Sequence, residues 1–217
     1  MYNYYFIIMM EYNLNYNFYN DYTSDNFNNI FNKRKQNILL NTNSQYKKCK
    51  NELKLVEEYF VEMFCWTALP KNLLYNINDI LESYISNYTL IDPCSGNSFH
   101  TFLFNEFCNK NVITIDIQEE KDAWINTIEC DGLDFIKNNI TDFSDKVLLL
   151  SWIDYDELTT NLLRNFKGDI ILSIGNYEEG NSKNYLNELN EKYDLIKHFI
   201  LIMPWNLQEN IKIFKRK

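Results

Sequence analysis

Thr89-Leu-Ile-Asp-Pro-Cys-Ser-Gly-Asn-Ser-Phe-His100 decides how this chain folds. A short apolar run ends in Asp92. A turn built on Pro93 and Gly96 follows, and an apolar stretch, Phe99 to Phe107, comes next. That order reads as strand, tight loop, helix. A second apolar run, Val112-Ile-Thr-Ile-Asp116, also ends in an acid. Two successive strands ending in acids, roughly 20 residues apart, are the layout of a nucleotide-type pocket on an α/β sheet. The loop brings backbone close to a ligand. Asp116 is placed to accept hydrogen bonds from both hydroxyls of a ribose.

Downstream the alternation continues. Gly132–Asn138 reads as a short helix opened by Asp131, Lys146–Trp152 as a buried strand and Glu157–Asn165 as a helix. Asp169–Ile174 is the next strand and Asn184–Glu191 a helix. Leu195–Met203 and Asn210–Phe214 then flank a turn at Pro204-Trp-Asn206. Strands alternating with helices give a parallel sheet covered on both faces. The last two strands have no helix between them, and a parallel crossover needs about a dozen residues or more, so they pair as an antiparallel hairpin. Upstream, Tyr46 to Ala68 has helical spacing of Leu53, Val56, Tyr59, Phe60, Met63 and Phe64 and stops at Pro70. Asn76–Ser86 reads as a second helix. Residues 1–45, rich in Asn, Tyr and Phe with little periodicity, read as a flexible arm able to meet a protein partner. The expected organisation is therefore an arm (1–45) and one domain (46–217), with N-terminal helices over 46–87 and the α/β core over 88–217.

The length, 217 residues, suits one such domain with a modest extension, and 46% hydrophobic residues are ample for a core. The abundance of Asn and Tyr is the mark of an AT-rich genome and says nothing about chemistry. The net charge of −9 disfavours non-specific nucleic-acid binding, which needs Lys and Arg on phosphates. Three basic clusters, Lys33-Arg34-Lys35, Lys47-Lys48 with Lys50, and Lys215-Arg216-Lys217, soften that conclusion. Five scattered cysteines, an odd number without C-x-x-C spacing, and no secretory signal fit reduced thiols in the cytoplasm. Tyr2 to Met10 is too short to span a membrane, and no other segment is long enough.

Further residues bear on chemistry. In Cys130-Asp131-Gly132, Asp131 either caps a helix or contributes to the pocket, or does both. After the strand at 146–152, Trp152, Asp154, Tyr155 and Asp156 lie where a second substrate meets the bound ligand, because ligands sit beyond the carboxyl ends of the strands. Asp154 and Asp156 are candidates to orient a nucleophile or accept its proton, with Trp152 and Tyr155 as walls. Gly175 and Gly180 bracket an acidic segment able to cover the pocket, with Asn176 and Glu178 within it. His100 and His198 make no metal set, although His100 lies close to the loop.

These landmarks resemble a group of class I SAM-dependent methyltransferase-like proteins found in microbial and viral genomes. The group's Trp-Ala-x-Pro corresponds to Trp66-Thr-Ala-Leu-Pro70, with one extra residue. Its glycine loop corresponds to Asp92–Ser98 and its Leu-Leu-x-Trp-Pro-Pro-Tyr strand to Leu149–Tyr155. A later segment is similar to Phe166–Gly168 through Ser173–Asn176. Its ending is similar to Pro204-Trp205, Glu209 and Ile211–Arg216. The likeness spans roughly residues 60–217. It implies a Rossmann-like fold and S-adenosylmethionine as cofactor. Asp92, Cys94, Gly96, Ser98, Asp116, Asp131 and Gly132 would hold that cofactor: Asp92 the amino group, Asp131 the adenine amine, and Cys130 or Gly132 the ring. Asp154, Tyr155 and Trp152 would form the acceptor side.

Three departures stand out. Cys94 and Ser98 replace outer glycines of the loop, Ile153-Asp154 replaces Pro-Pro, and Asn176 replaces a Glu. They leave two readings open: a methyltransferase with an unidentified acceptor, and a catalytically degenerate module that binds protein or nucleic acid. A third, an NAD-dependent oxidoreductase, conflicts with the terminal hairpin and the thin glycine fingerprint. The missing Pro-Pro also argues against amino-methylation of a base.

Overall fold

A computed structural model of the chain describes residues 22–41, 52–153, 155–175, 183–203 and 208–217. Two compact units divide it: residues 1–73 with 203–207, and residues 74–202 with 208–217.

The first unit contains α1 (Asp25–Asn41) and α2 (Glu52–Met63). Residues 25–41 were expected in a flexible arm and are instead a helix. Its periodicity is carried by aromatics among asparagines, a pattern that composition conceals. Ser24 Oγ accepts from Phe27 N at 3.0 Å and caps its start. Phe27 stacks on Phe31, Phe31 on Phe64, and Phe60 meets Phe64, with centroids 5.1–6.0 Å apart. The helix expected over 46–68 ends at Met63, and residues 46–51 of it lie outside the described residues. Its last carbonyls explain the early stop. Buried Arg34 donates Nε to Met63 O at 2.9 Å and Nη2 to Glu62 O at 2.5 Å, satisfying groups that further helix would otherwise bond.

In the second unit, α3 (Lys71–Tyr84) buries Leu74, Ile77 and Leu81 along one stripe. The core then runs β1 (Thr89–Asp92), α4 (Phe99–Cys108), β2 (Asn111–Asp116), β3 (Ile128–Glu129) and α5 (Gly132–Asn139). It continues with β4 (Lys146–Ser151), α6 (Asp156–Asn165), β5 (Ile170–Ile174), α7 (Lys183–Lys192), β6 (Tyr193–Ile202) and β7 (Gln208–Arg216). Among the described residues these strands form one sheet, in the order β3-β2-β1-β4-β5-β7-β6. The pairs from β3 to β5 are parallel, and β7 runs antiparallel to both β5 and β6. The fold is thus the mostly parallel α/β sheet closed by an antiparallel hairpin. The turn at 204–206 lies outside the described residues.

Burial follows position. Val147 to Leu150 and Ile170 to Ile174 are buried throughout, as central parallel strands covered on both faces must be. Edge strand β6 exposes Leu195, Ile200 and Ile202.

Strand β3 was not foreseen. It has two exposed residues and no apolar run, so hydrophobic pattern carries no signal for it. The connection from β2 to β3, residues 117–127, contains no helix.

Candidate functional site

The carboxyl ends of β1, β2 and β4 carry most of the residues singled out in the sequence. Asp92 ends β1 and is 2% exposed. Its Oδ2 accepts from Thr101 Oγ1 of α4 at 2.6 Å. Its Oδ1 is buried and meets no donor in hydrogen-bonding geometry. Burial pushes this carboxyl up to about 7; the Thr101 hydroxyl and the Cys94 amide oppose the rise and the charge of Asp116 adds to it.

Asp116 ends β2 and closes onto the loop. Gly96 N donates to Asp116 Oδ2 at 2.9 Å, and Gln118 N lies 3.4 Å from Oδ1. Ser95 N donates to Ile115 O at 2.9 Å, so two successive loop amides are tied to the end of β2. Each carboxylate oxygen retains a lone pair for a further donor. Gly96 has φ +49, and a Cβ built there meets nothing within 4 Å, so the space beside this glycine is open.

Cys94 lies within electrostatic reach of three carboxylates. Burial pushes its thiol up to about 12, and the charges of Asp92, Asp116 and Asp131 all act in the same direction. The acids that the sequence spreads over 40 residues thus gather around one loop. Asp131 caps α5, accepting from Asp134 N at 2.9 Å, and remains exposed. The capping reading is therefore realised, and its other oxygen remains available to a ligand. Gly132 packs against the loop: a Cβ there would stand 2.0 Å from Pro93 O. Its lack of a side chain lets α5 start directly against the turn after β1. Exposed Ile117 and Ile128 flank Asp116 at the ends of β2 and β3.

Ser98 takes the left-handed conformation, φ 62° and ψ 23°, just before α4. Its hydroxyl does not cap the helix but meets Thr127 Oγ1 at 3.0 Å. Asn97 Oδ1 accepts from Phe99 N at 3.1 Å instead.

The β4 and β5 ends are arranged differently. Trp152 is left-handed too, with φ 53, and donates its N–H to Ile174 O at 3.0 Å. Its ring lies on Gly175, where a Cβ would come within 3.3 Å of it; Gly175 has φ +128. Tyr155 is 72% exposed. Asp156, one of the two candidate proton acceptors, is oriented toward α7: its carboxylate accepts from Tyr185 N at 2.9 Å and Asn184 Nδ2 at 2.8 Å. The other, Asp154, lies outside the described residues, as do Asn176, Glu178 and Gly180.

Some participants escaped the sequence reading. Thr101 holds Asp92 from nine residues downstream. His100, which the sequence already placed close to the loop, is 4% exposed and puts Nδ1 2.9 Å from Ser151 Oγ at the end of β4, a link to the β4 side that was not foreseen. Trp124 and Thr127 close over the loop from the β2–β3 connection. The lone Trp in a polar, acidic stretch was the available signal for that contact. Among the described residues no group of three or more His, Cys, Asp or Glu could hold a metal ion, and no helix is long and apolar enough to cross a membrane.

In two of the basic clusters the arginine is engaged by backbone while flanking lysines Lys33, Lys215 and Lys217 stay exposed. Arg34 caps α2. Arg216 donates Nη2 to Phe166 O and Gly168 O at 2.9 Å each and stacks on Tyr193 at 4.7 Å. The cluster at 47–50 lies outside the described residues.

No protein-family model and no curated protein matches the sequence. Solved structures do match the fold. TrmN from Thermus thermophilus aligns with a TM-score of 0.51 at 11% identity, over 75% of this chain and 53% of that one. This chain therefore spans about half of TrmN's length. A variant of MtNAS in complex with S-adenosylmethionine aligns with a TM-score of 0.51 at 9% identity, over 87% of this chain and 73% of that one. With the strand order and the terminal hairpin, these likenesses give the chain the Rossmann-like fold of class I methyltransferases.

Proposed function

We propose that this chain is a methyltransferase that uses S-adenosylmethionine. The carrying observation is the closure of loop on acid: Gly96 N–H on Asp116 Oδ2 at 2.9 Å, beside an open space at Gly96 and the buried carboxyl of Asp92. Burial takes the Asp92 carboxylate out of water. A ligand with an ammonium or sulfonium offsets its desolvation. The donor set therefore fits a cationic nucleoside.

Asp116 would hold the ribose hydroxyls and Asp131 the adenine amine, while exposed Ile117 would offer the base an apolar face. The backbone at Gly96 would pass under the amino-acid part, and Asp92 would hold its amino group. Trp152, Tyr155 and Asp154 would form the acceptor side. When bound, the cofactor supplies a methyl group on a positively charged sulfur. The protein's part in such a displacement is chiefly to align donor and acceptor and to exclude water. The proposed acceptor is a protein or small molecule; the inward use of Arg34 and Arg216 supports that choice over nucleic acid.

The specific observation favouring a binding module that transfers no methyl is the commitment of Asp156 to α7. Calorimetric titration of S-adenosylmethionine separates these readings from chemistry-free folds. Wild type should give saturable heat. Gly96→Asn should fold, because Asn tolerates φ > 0 and its side chain enters open space, yet lose binding. Absence of heat with wild type would sink the reading. Binding without release of S-adenosylhomocysteine in the presence of cell extract would favour the module.

A further inference from the structure

The loop after β1 has one glycine, Gly96, yet it also holds a left-handed non-glycine residue at Ser98. Left-handed backbone costs a non-glycine residue roughly 1–2 kcal/mol, and it persists only where the surroundings fix it. The surroundings here come from the helix-free connection between β2 and β3. Trp124 N donates to Asn97 O at 2.8 Å. The buried Trp124 ring packs on Phe99 and Phe102 of α4, with centroids 4.9 and 5.1 Å away. Thr127 Oγ1 lies 3.0 Å from Ser98 Oγ and 3.5 Å from Ser95 Oγ. The connection is itself pinned, since Thr114 Oγ1 donates to Asn126 O at 2.6 Å. Ser98 N donates to Ser95 O at 2.7 Å within the loop.

We infer that Trp124 and Thr127 are positioning residues: the β2–β3 connection braces the loop after β1 and fixes the left-handed turn at Ser98 that glycine would adopt unaided. A glycine loop finds its shape by freedom. This loop is held in that shape from outside, by a hydroxyl pair, a backbone bond and an indole. The brace itself is a property of the fold; its effect on ligand affinity rests on the function proposed above.

The experiment is a double-mutant cycle between Thr127→Val and Ser98→Gly, with Trp124→Phe as a third variant. Amide exchange at Gly96 and Ser98 is followed by NMR without ligand, S-adenosylhomocysteine binding by calorimetry, and global stability by thermal melting. Thr127→Val should speed exchange at both amides about tenfold, the size of one lost hydrogen bond, and weaken binding by a similar factor. In the Ser98→Gly background the same substitution should change either quantity less than about twofold, because glycine needs no brace. Trp124→Phe, which keeps an aromatic ring and the backbone bond, should retain most of the protection. Equal losses in both backgrounds would overturn the proposal. So would unchanged exchange in Thr127→Val, or a fall in melting temperature with no change local to the loop. If wild type binds no S-adenosylhomocysteine, the proposed function fails while the exchange arm still decides the brace.

Discussion

The two halves of the sheet's carboxyl edge are built in opposite ways. At β1 and β2, each singled-out acid is drawn toward one loop, and the loop is locked by bonds that cross from element to element: Gly96 to Asp116, Ser95 to Ile115, Trp124 to Asn97. At β4 and β5 the candidates diverge. Trp152 turns its ring onto Gly175, Tyr155 points into solvent and Asp156 serves the start of α7. The first half is fixed in one arrangement, and on the proposed function it would hold the ligand. The second is occupied with joining helices to strands. On the proposed function, holding and transferring would be separable tasks on this edge, and substitutions in the two halves should have different signatures.

The largest effect should come from Gly132→Ala. Its Cβ would stand 2.0 Å from Pro93 O, a backbone atom with no freedom to retreat. Overpacking of this kind costs about 3 kcal/mol or more, and should lower the melting temperature by roughly 6–12 °C. A loss below about 1 kcal/mol would show that the loop half is looser than its bonds suggest.

Next is the contrast of two carboxylates. Asp116→Ala should weaken S-adenosylmethionine binding by roughly 10- to 100-fold, the value of hydrogen bonds to a charged group. Asp156→Ala should leave that affinity within about twofold and cost about 1 kcal/mol of stability, as loss of a helix cap does. Equal effects on affinity would erase the distinction between the halves.

A third test is a pH titration of stability. The Asp92 carboxyl is raised from 3.8 to about 7, chiefly by burial. The folded chain therefore keeps a proton that the unfolded chain releases, and the stability this contributes is fully present below pH about 4 and lost as pH rises toward 7. Asp92→Asn, neutral at every pH, should flatten the profile over that window. A cationic ligand should restore the ionised form, so wild-type affinity should increase from pH 6 to 8 while the Asn variant shows no such rise. An unchanged stability profile in the variant would mean that Asp92 is better solvated than its surroundings indicate.

The β1 and β2 half was also the half whose placement could be read in sequence. Asp92, Gly96 and Asp116 sit at strand ends, and a strand end is marked by a local change from apolar to polar residues. The hairpin was legible because nothing helical fits between β6 and β7. What escaped was non-local or aperiodic. Thr101 acts on Asp92 across a helix turn, His100 reaches Ser151 across 51 residues, and β3 is two exposed residues recognisable only by its partner β2. Residues 25–41 looked like an arm because asparagine dilutes the helical period, while Phe27, Arg34 and Ile38 still face inward. Asp156 looked catalytic because a carboxylate after a strand is ambiguous until its donors are known. Here they are the amide of Tyr185 and the side chain of Asn184.

The smallest effect sharpens the comparison most, because each half contains one non-glycine residue forced left-handed beside its loop: Ser98 with φ 62 and Trp152 with φ 53. Replacing each by glycine removes the same backbone strain. At Ser98 the side chain given up is a single hydroxyl, so the relief of roughly 1–2 kcal/mol is offset by the lost bond to Thr127 and glycine's greater chain entropy, leaving stability within about 0.5 kcal/mol of wild type. At Trp152 the substitution also removes an aromatic ring lying on Gly175, and lost packing of that size costs about 3 kcal/mol, more than the strain returned. Thermal melts should therefore separate the two: within about 2 °C of wild type for Ser98→Gly and down by several degrees for Trp152→Gly. A larger loss at Ser98 would mean that its hydroxyl bond outweighs the strain. A gain at Trp152 would mean that its ring contributes little at the β4 end and is free to serve an acceptor.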